Sequence, residues 1–443
     1  MLSRLGVAAS VSAIAVLLTT AFATAQQPAQ QPPAGSGSRQ GTTSQTERST
    51  RESEPLQLPI TLGPPITQYP LELLGLLATP TQRSPFIIVP SIAVSEEYND
   101  NIFLDNRVRQ SDFITGFSPG LSLLVNQPGW ELRAGYSFTA EIYAKESRFN
   151  DALSRQGFAG SAIFRPSPGL TLTLSDLFLN DRSTNVTAQV STGRQESWSN
   201  TLSPGLTYQM TPRTSLSLGA AYTALRFLGR GGGVDSDTYS FLSNVGYAFT
   251  QRLSGFIGYN FTYLDIEVGD NSQTHSPTLG LSYQLTRTLT ATLSGGPAIT
   301  LIAGETFVTP AGTAAITQQF SWGSIGLQYT RGVTTAGGFG GSSDTQSVSG
   351  NVTVATLLQG LFLNFSPAYS SSESVDDRDP NRVDVQAFTL TLAAYYQVAR
   401  YASLFGGYTF LHQRTGGRST QQVDVDQNRV RFGVQFGYPF NFD

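Results

Sequence analysis

The 443-residue chain contains no cysteine. That excludes a disulfide framework and every thiolate metal site. Histidine is nearly as scarce, at two residues, so no His-based metal spacing can be assembled. Charged side chains make up 13% of the chain, about half of what an ordinary soluble domain carries. The formal net charge of -4 supplies no basic field for nucleic acid. Lys145 is the sole lysine, and arginine provides every other cation. Beyond the N-terminus there is no apolar run of the roughly 20 residues that a membrane helix needs. A mature chain that crosses a membrane must therefore do so as a closed β-barrel, since only helices and barrels satisfy their backbone groups in lipid.

Glycine, serine, threonine and aromatics fill the space left by charge, which is a β-rich composition. The first 25 residues, MLSRLGVAASVSAIAVLLTTAFATA, read as a secretory signal peptide. Arg4 opens it, Leu5 to Leu18 is its apolar run, and Ala23-Thr24-Ala25 precedes a cut before Gln26. Residues 26–54 hold almost no apolar side chain and are expected to be a disordered linker. Residues 55–85 are apolar and punctuated by proline, and are expected to form a periplasmic extension.

From Phe86 onward the dominant period is two. In the last strand Val430, Phe432, Val434, Phe436, Tyr438, Phe440 and Phe442 point one way. Arg429, Arg431, Gly433, Gln435, Gly437, Pro439 and Asn441 point the other. A row of large apolar side chains opposite a row of polar and small ones fits lipid outside and a polar lumen inside. On this parity Arg429, Arg431 and Gln435 are candidate lumen residues, where rings of charge select solutes.

One turn phrase recurs: YQMTPRTSLSL from Tyr208, YAFTQRLSGF from Tyr247, YQLTRTLTATL from Tyr283 and YQVARYASLF from Tyr396. With short turns near Pro128, Ser167, Trp322 and Gln359, the pattern predicts an all-β, closed antiparallel transmembrane barrel of about eighteen strands. The first strand is placed at Phe86–Glu96 and the last at Asn428–Phe440. A count of sixteen stays open, because the strand before Trp322 is short and poorly patterned. Longer polar loops alternate with the short turns, among them Asn99–Asp112, Leu228–Asp237, Gly304–Gly312 and Gly337–Asp344. That asymmetry predicts external loops, periplasmic turns and a periplasmic C-terminus in the outer membrane of a Gram-negative bacterium.

The blocks PSIAVSEEYNDNIFLDN (from Pro90), LSYQLTRTLTATLSGGPAIT (from Leu281) and LQYTRGVTTAGGFGG (from Leu327) carry a family resemblance. Over Phe86–Phe442 the chain resembles a proteobacterial outer-membrane β-barrel porin family, some of whose members are associated with exopolysaccharide export. The resemblance implies a barrel, a transport role and partners among polysaccharide-export components. The final strand is similar to the aromatic C-terminal signal read by barrel-assembly machinery. Phe432, Phe436, Tyr438, Phe440 and Phe442 match it, although Asp443 displaces the usual terminal Phe by one place.

Chemistry has little to build on. His275 and Ser276 are adjacent and so face opposite sides of a strand. His412, with Asp424 or Asp426 across a loop, offers the outline of an Asp–His protease site, and an ordinary strand residue is the preferred reading. The oxygen-rich stretches SEEYNDNIFLDN, SVDDRDPN and VDVDQN could ligate calcium. The first is read instead as the end of the first strand opening into an external loop with solvated carboxylates, and the other two as solvated loops, so that no metal, cofactor or catalytic residue is expected. Collectively the external acids would meet divalent ions bridging lipopolysaccharide phosphates. The expected function is a passive pore or export conduit for polar solutes, exopolysaccharide among them. The alternative is a non-conducting structural or adhesion barrel with a closed lumen.

Overall fold

The computed structural model describes residues 85–181, 193–228, 233–335, 338–355, 358–376, 378, 382–417 and 423–442. The expectations for residues 1–84, and that for Asp443, lie outside the described residues. Period-two patterning emerges as long strands. They begin with β1 (Phe86–Asn99), β2 (Asp112–Gln127), β3 (Trp130–Tyr143), β4 (Asp151–Ser167), β5 (Leu170–Asp181) and β6 (Glu196–Thr211). Then come β7 (Thr214–Leu228), β8 (Ser236–Ala248), β9 (Leu253–Ile266), β10 (Ser272–Gln284), β11 (Leu289–Ile302) and β12 (Glu305–Phe320). The chain closes with β13 (Gly323–Thr335), β14 (Ser342–Val354), β15 (Leu361–Ser374), β16 (Val383–Ala399), β17 (Ala402–Gly417), β18 (Val425–Gly437) and β19 (Phe440–Phe442).

From β1 to β18 each strand pairs antiparallel with its sequence neighbours, and β1 pairs with both β2 and β18. The sheet is thereby closed on itself, which leaves no unpaired edge in lipid. The short β19 continues β18 along β1, with Phe86 opposite Phe442 and Ile88 opposite Phe440. Pro439 separates the two segments, and it has no N–H to give to the ladder. Counted as wall strands, β18 and β19 are one, and the barrel has eighteen.

Two expected boundaries are corrected. The strand before Trp322 is not short: β12 begins at Glu305, and the expected Gly304–Gly312 loop is a two-residue turn. Ala303 and Gly304 both have positive φ, 49° and 82°, as a tight turn between twisted strands requires. β1 also runs three residues past Glu96, to Asn99, which places Glu97 within the wall.

The outer face is a band of large apolar side chains. Ile257, Leu279, Leu293 and Phe432 are each more than 60% exposed, a surface that soluble monomers do not carry. The inner face is hydroxylic, with cross-strand pairs such as Ser118–Thr139 (2.8 Å), Thr274–Thr300 (3.1 Å) and Thr330–Ser347 (2.6 Å). Polar side chains inward and apolar side chains outward define a transmembrane barrel with a polar interior.

Candidate functional site: the lumen wall and the loops over its mouth

Inward parity on β18, β1, β3, β4 and β5 gathers the charged cluster of the lumen wall. Arg155 of β4 stands directly opposite Asp181 of β5. Its guanidinium lies 2.9 Å from Glu141 of β3, 3.8 Å from Asp181 and 3.8 Å from Glu97 of β1. Across the closing seam, Arg429 of β18 donates from Nε and Nη2 to the two oxygens of Glu97, both at 3.0 Å. Arg431 donates to Ser95 Oγ at 3.1 and 2.9 Å. The Glu97 side chain is 4% exposed and that of Arg155 14%. Charges this buried persist only when paired and hydrogen-bonded. Glu97 is the hub, since it joins the first strand to the last and both to β4.

Toward the loop end of the barrel the wall becomes apolar. Ile102 and Leu104 of the β1–β2 loop are fully buried, and Ile102 packs with Ile114 and Tyr143 against Phe103 and Phe149. The loop is tied down by its own polar groups. Asn428 donates its backbone N and its Nδ2 to the two oxygens of Asp100, each at 2.7 Å, and Arg109 pairs with the same carboxylate. Asp105 accepts the Arg107 amide at 2.7 Å. The expectation of solvated carboxylates therefore fails for Asp100, which clamps the loop to β18.

Arg194, just before β6, extends this knot. Its guanidinium lies 4.1 Å from the centre of the Phe149 ring and donates to Ile102 O (2.9 Å) and Tyr143 Oη (3.1 Å). Contacts then pass from loop to loop. Gly233 N donates to Gln195 Oε1 (3.1 Å), and Val234 N to Gly338 O (2.8 Å). Phe339 packs on Val385 and Ala387, inward residues of β16. Ser272 of β10 meets Ser342 of β14 at 2.6 Å, and Arg378 reaches Glu305 at 2.9 Å. Val234–Gly338, Phe339–Val385, Ser272–Ser342 and Arg378–Glu305 join parts of the barrel that are not neighbours in the sheet, so the loops lean inward and bridge the mouth.

The residues singled out from sequence fall as follows. Arg429 and Arg431 lie in the wall cluster, and Gln435, 7% exposed, has its Oε1 buried without a hydrogen-bond partner. Phe432, Phe436, Tyr438, Phe440 and Phe442 form an outward row, each at least 49% exposed. Tyr438 lies 4.8 Å from Tyr401, and Phe442 meets Phe86 edge-on at 5.5 Å. His412 does meet Asp426, Nδ1 to Oδ1 at 2.5 Å. That pair sits on the outer rim, where Asn106 and Arg414 share the carboxylate. It serves as a clamp between the β1–β2 loop, β17 and β18. Sequence reasoning missed Glu97, Arg155, Arg194 and Phe339. Only Glu97 had a local signal: it shares the parity of Ser95 and Asn99.

No family model matches the chain, and no curated protein matches it. Solved structures do. OccAB4 of Acinetobacter baumannii aligns at 13% identity over 82% of this chain and 100% of its own, with a TM-score of 0.43. OpdQ of Pseudomonas aeruginosa aligns at 13% identity over 80% and 99%, with a TM-score of 0.44. The siderophore receptor PirA of Pseudomonas aeruginosa aligns at 8% identity over 81% of each chain, with a TM-score of 0.41. At these scores the strand count, the lumen and the lipid-facing band rest on the barrel's own geometry. That geometry is a closed eighteen-strand antiparallel β-barrel of the outer-membrane type.

Proposed function

We propose that the chain is a passive pore of the Gram-negative outer membrane for small polar solutes. The observation that carries this reading is the inner wall, which carries cross-strand hydroxyl pairs and the Glu97–Arg155–Arg429 cluster. A wall of donors and acceptors replaces part of a polar solute's hydration. The loops bridged over the mouth favour small cargo. They also count against exopolysaccharide, which the family resemblance suggested and which would need a wide exit. In this reading the short turns face the periplasm, together with the N-terminal extension and the C-terminus. The outward aromatic row of β18 and β19 is what the assembly machinery reads, and lipopolysaccharide surrounds the loop end.

The second reading, a closed non-conducting barrel, is favoured by the burial of Glu97 and by the same loop bridge. Liposome swelling separates the two. Vesicles containing the refolded barrel should swell in small sugars and amino acids, at rates that fall with solute size. Vesicles that hold folded barrel and stay impermeable to all of them would establish the closed reading.

A further inference from the structure

One carboxylate of the outer surface lies halfway along its strand, among apolar neighbours. Asp176 stands directly opposite Gly160 of β4 and Leu202 of β6, so all three share the outward face. Its own-strand neighbours on that face are Leu174 and Phe178. Halfway along β5 it therefore interrupts the hydrocarbon band. Other outward ionisable side chains, such as Glu96, Arg226, Arg331 and Asp426, lie toward the loop ends of their strands.

A charged group on the lipid face destabilises a barrel by an amount that grows toward the bilayer midplane. Asn200 of β6 answers only part of that demand, its Nδ2 donating to Asp176 Oδ1 at 2.7 Å. On the adjoining strands Tyr136 Oη donates to Gln156 Oε1 at 3.1 Å, in the same outward rows. Lipid tails offer no donor to a carboxylate, and open backbone or water is excluded at that depth.

We propose that this sector of β3–β6 is a homodimer interface, covered by the same sector of a second copy of the chain. A two-fold axis along the membrane normal produces an isologous contact, in which each patch must complement itself. This one does. Asp176 presents acceptor oxygens, and beside it the Asn200 amide presents a donor whose second hydrogen is held only at 3.5 Å by Leu177 O. Rotation about the axis sets the donors of one barrel against the acceptors of the other. Polar side chains that meet across a membrane interface are the means by which spanning segments associate where no hydrophobic force acts. The contact does not depend on whether the lumen conducts.

The chain has no cysteine, so single-cysteine reporters are free of background. In outer membranes holding the full chain, Leu174→Cys should form a disulfide-linked dimer on mild oxidation. Leu293→Cys, equally outward but on β11, should not. Adding Asp176→Leu to the Leu174→Cys chain should remove most of the cross-linked band while the heat-modifiable folded band persists. If Asp176→Leu does not fold, Asn200→Leu carries the same test. Equal cross-linking at both positions, no cross-linking at Leu174→Cys, or a dimer unmoved by the substitutions would overturn the proposal.

Discussion

Glu97→Gln is the substitution with the most to reveal about what closes the barrel. In the native wall the carboxylate takes two bonds from Arg429 at 3.0 Å and lies 3.8 Å from Arg155. Glutamine keeps the shape, removes the charge and turns one acceptor into a donor aimed at a guanidinium. Breaking a buried pair by removing one partner typically costs about 3–5 kcal/mol. Arg155 retains Glu141 at 2.9 Å, and Arg429 is 20% exposed and can recruit lumen water. The lower end applies, about 3 kcal/mol, or roughly a hundredfold in the folding equilibrium. The assay is urea unfolding in lipid vesicles, followed by the heat-modifiable band. A control is at hand in Glu131→Gln, whose partner Arg165 is 48% exposed; an exposed pair is worth about 0–1 kcal/mol. Combining Glu97→Gln with Arg429→Gln should restore part of the loss, because no uncompensated charge is then left buried. If Glu97→Gln cost no more than Glu131→Gln, the seam would not be held by this cluster and the reasoning would fail.

Three further outcomes are expected. An epitope inserted at Val268, in the exposed β9–β10 loop, should be reached by antibody on intact cells, while one at Arg213, in a short turn, should not; the reverse would invert the orientation. Replacing both Phe440 and Phe442 by Ser should lower the folded band without blocking export, and unchanged folding would remove β19 from the assembly signal. Asp100→Ala should destabilise by about 1–3 kcal/mol through its lost charge-assisted bonds, whereas Asp105→Ala should stay within about 0.5 kcal/mol. Chelator should leave the melting temperatures of wild type and of both variants unmoved, and a fall confined to wild type would make the first loop a calcium site.

The barrel could be read from sequence because its physics is local. Alternation of Val430, Phe432 and Val434 with Arg429 and Arg431 needs only the two-residue repeat of a strand. Each recurring turn phrase likewise declares itself within a dozen residues. The reading failed where the signal was weak or distant. Gly304–Gly312 looked like a loop because Ala311 and Gly312 are small on both faces, and in the barrel they stand opposite the equally small Gly296 and Gly295 of β11. Glu97 stayed without a role at the strand's end because its partner Arg429 is 332 residues away. The loop bridge through Arg194, Val234 and Phe339 was invisible for the same reason: loops carry no periodicity, and closure alone brings them over one mouth.

The central claim is that the polar lumen conducts, and ion current through the refolded barrel in a planar bilayer tests it most directly. Discrete, repeated current steps should appear on insertion of wild type, and no steps with a preparation of Glu97→Gln that has lost its folded band. Silent bilayers into which fully folded, heat-modifiable protein has demonstrably inserted would contradict the pore and leave the closed barrel in its place.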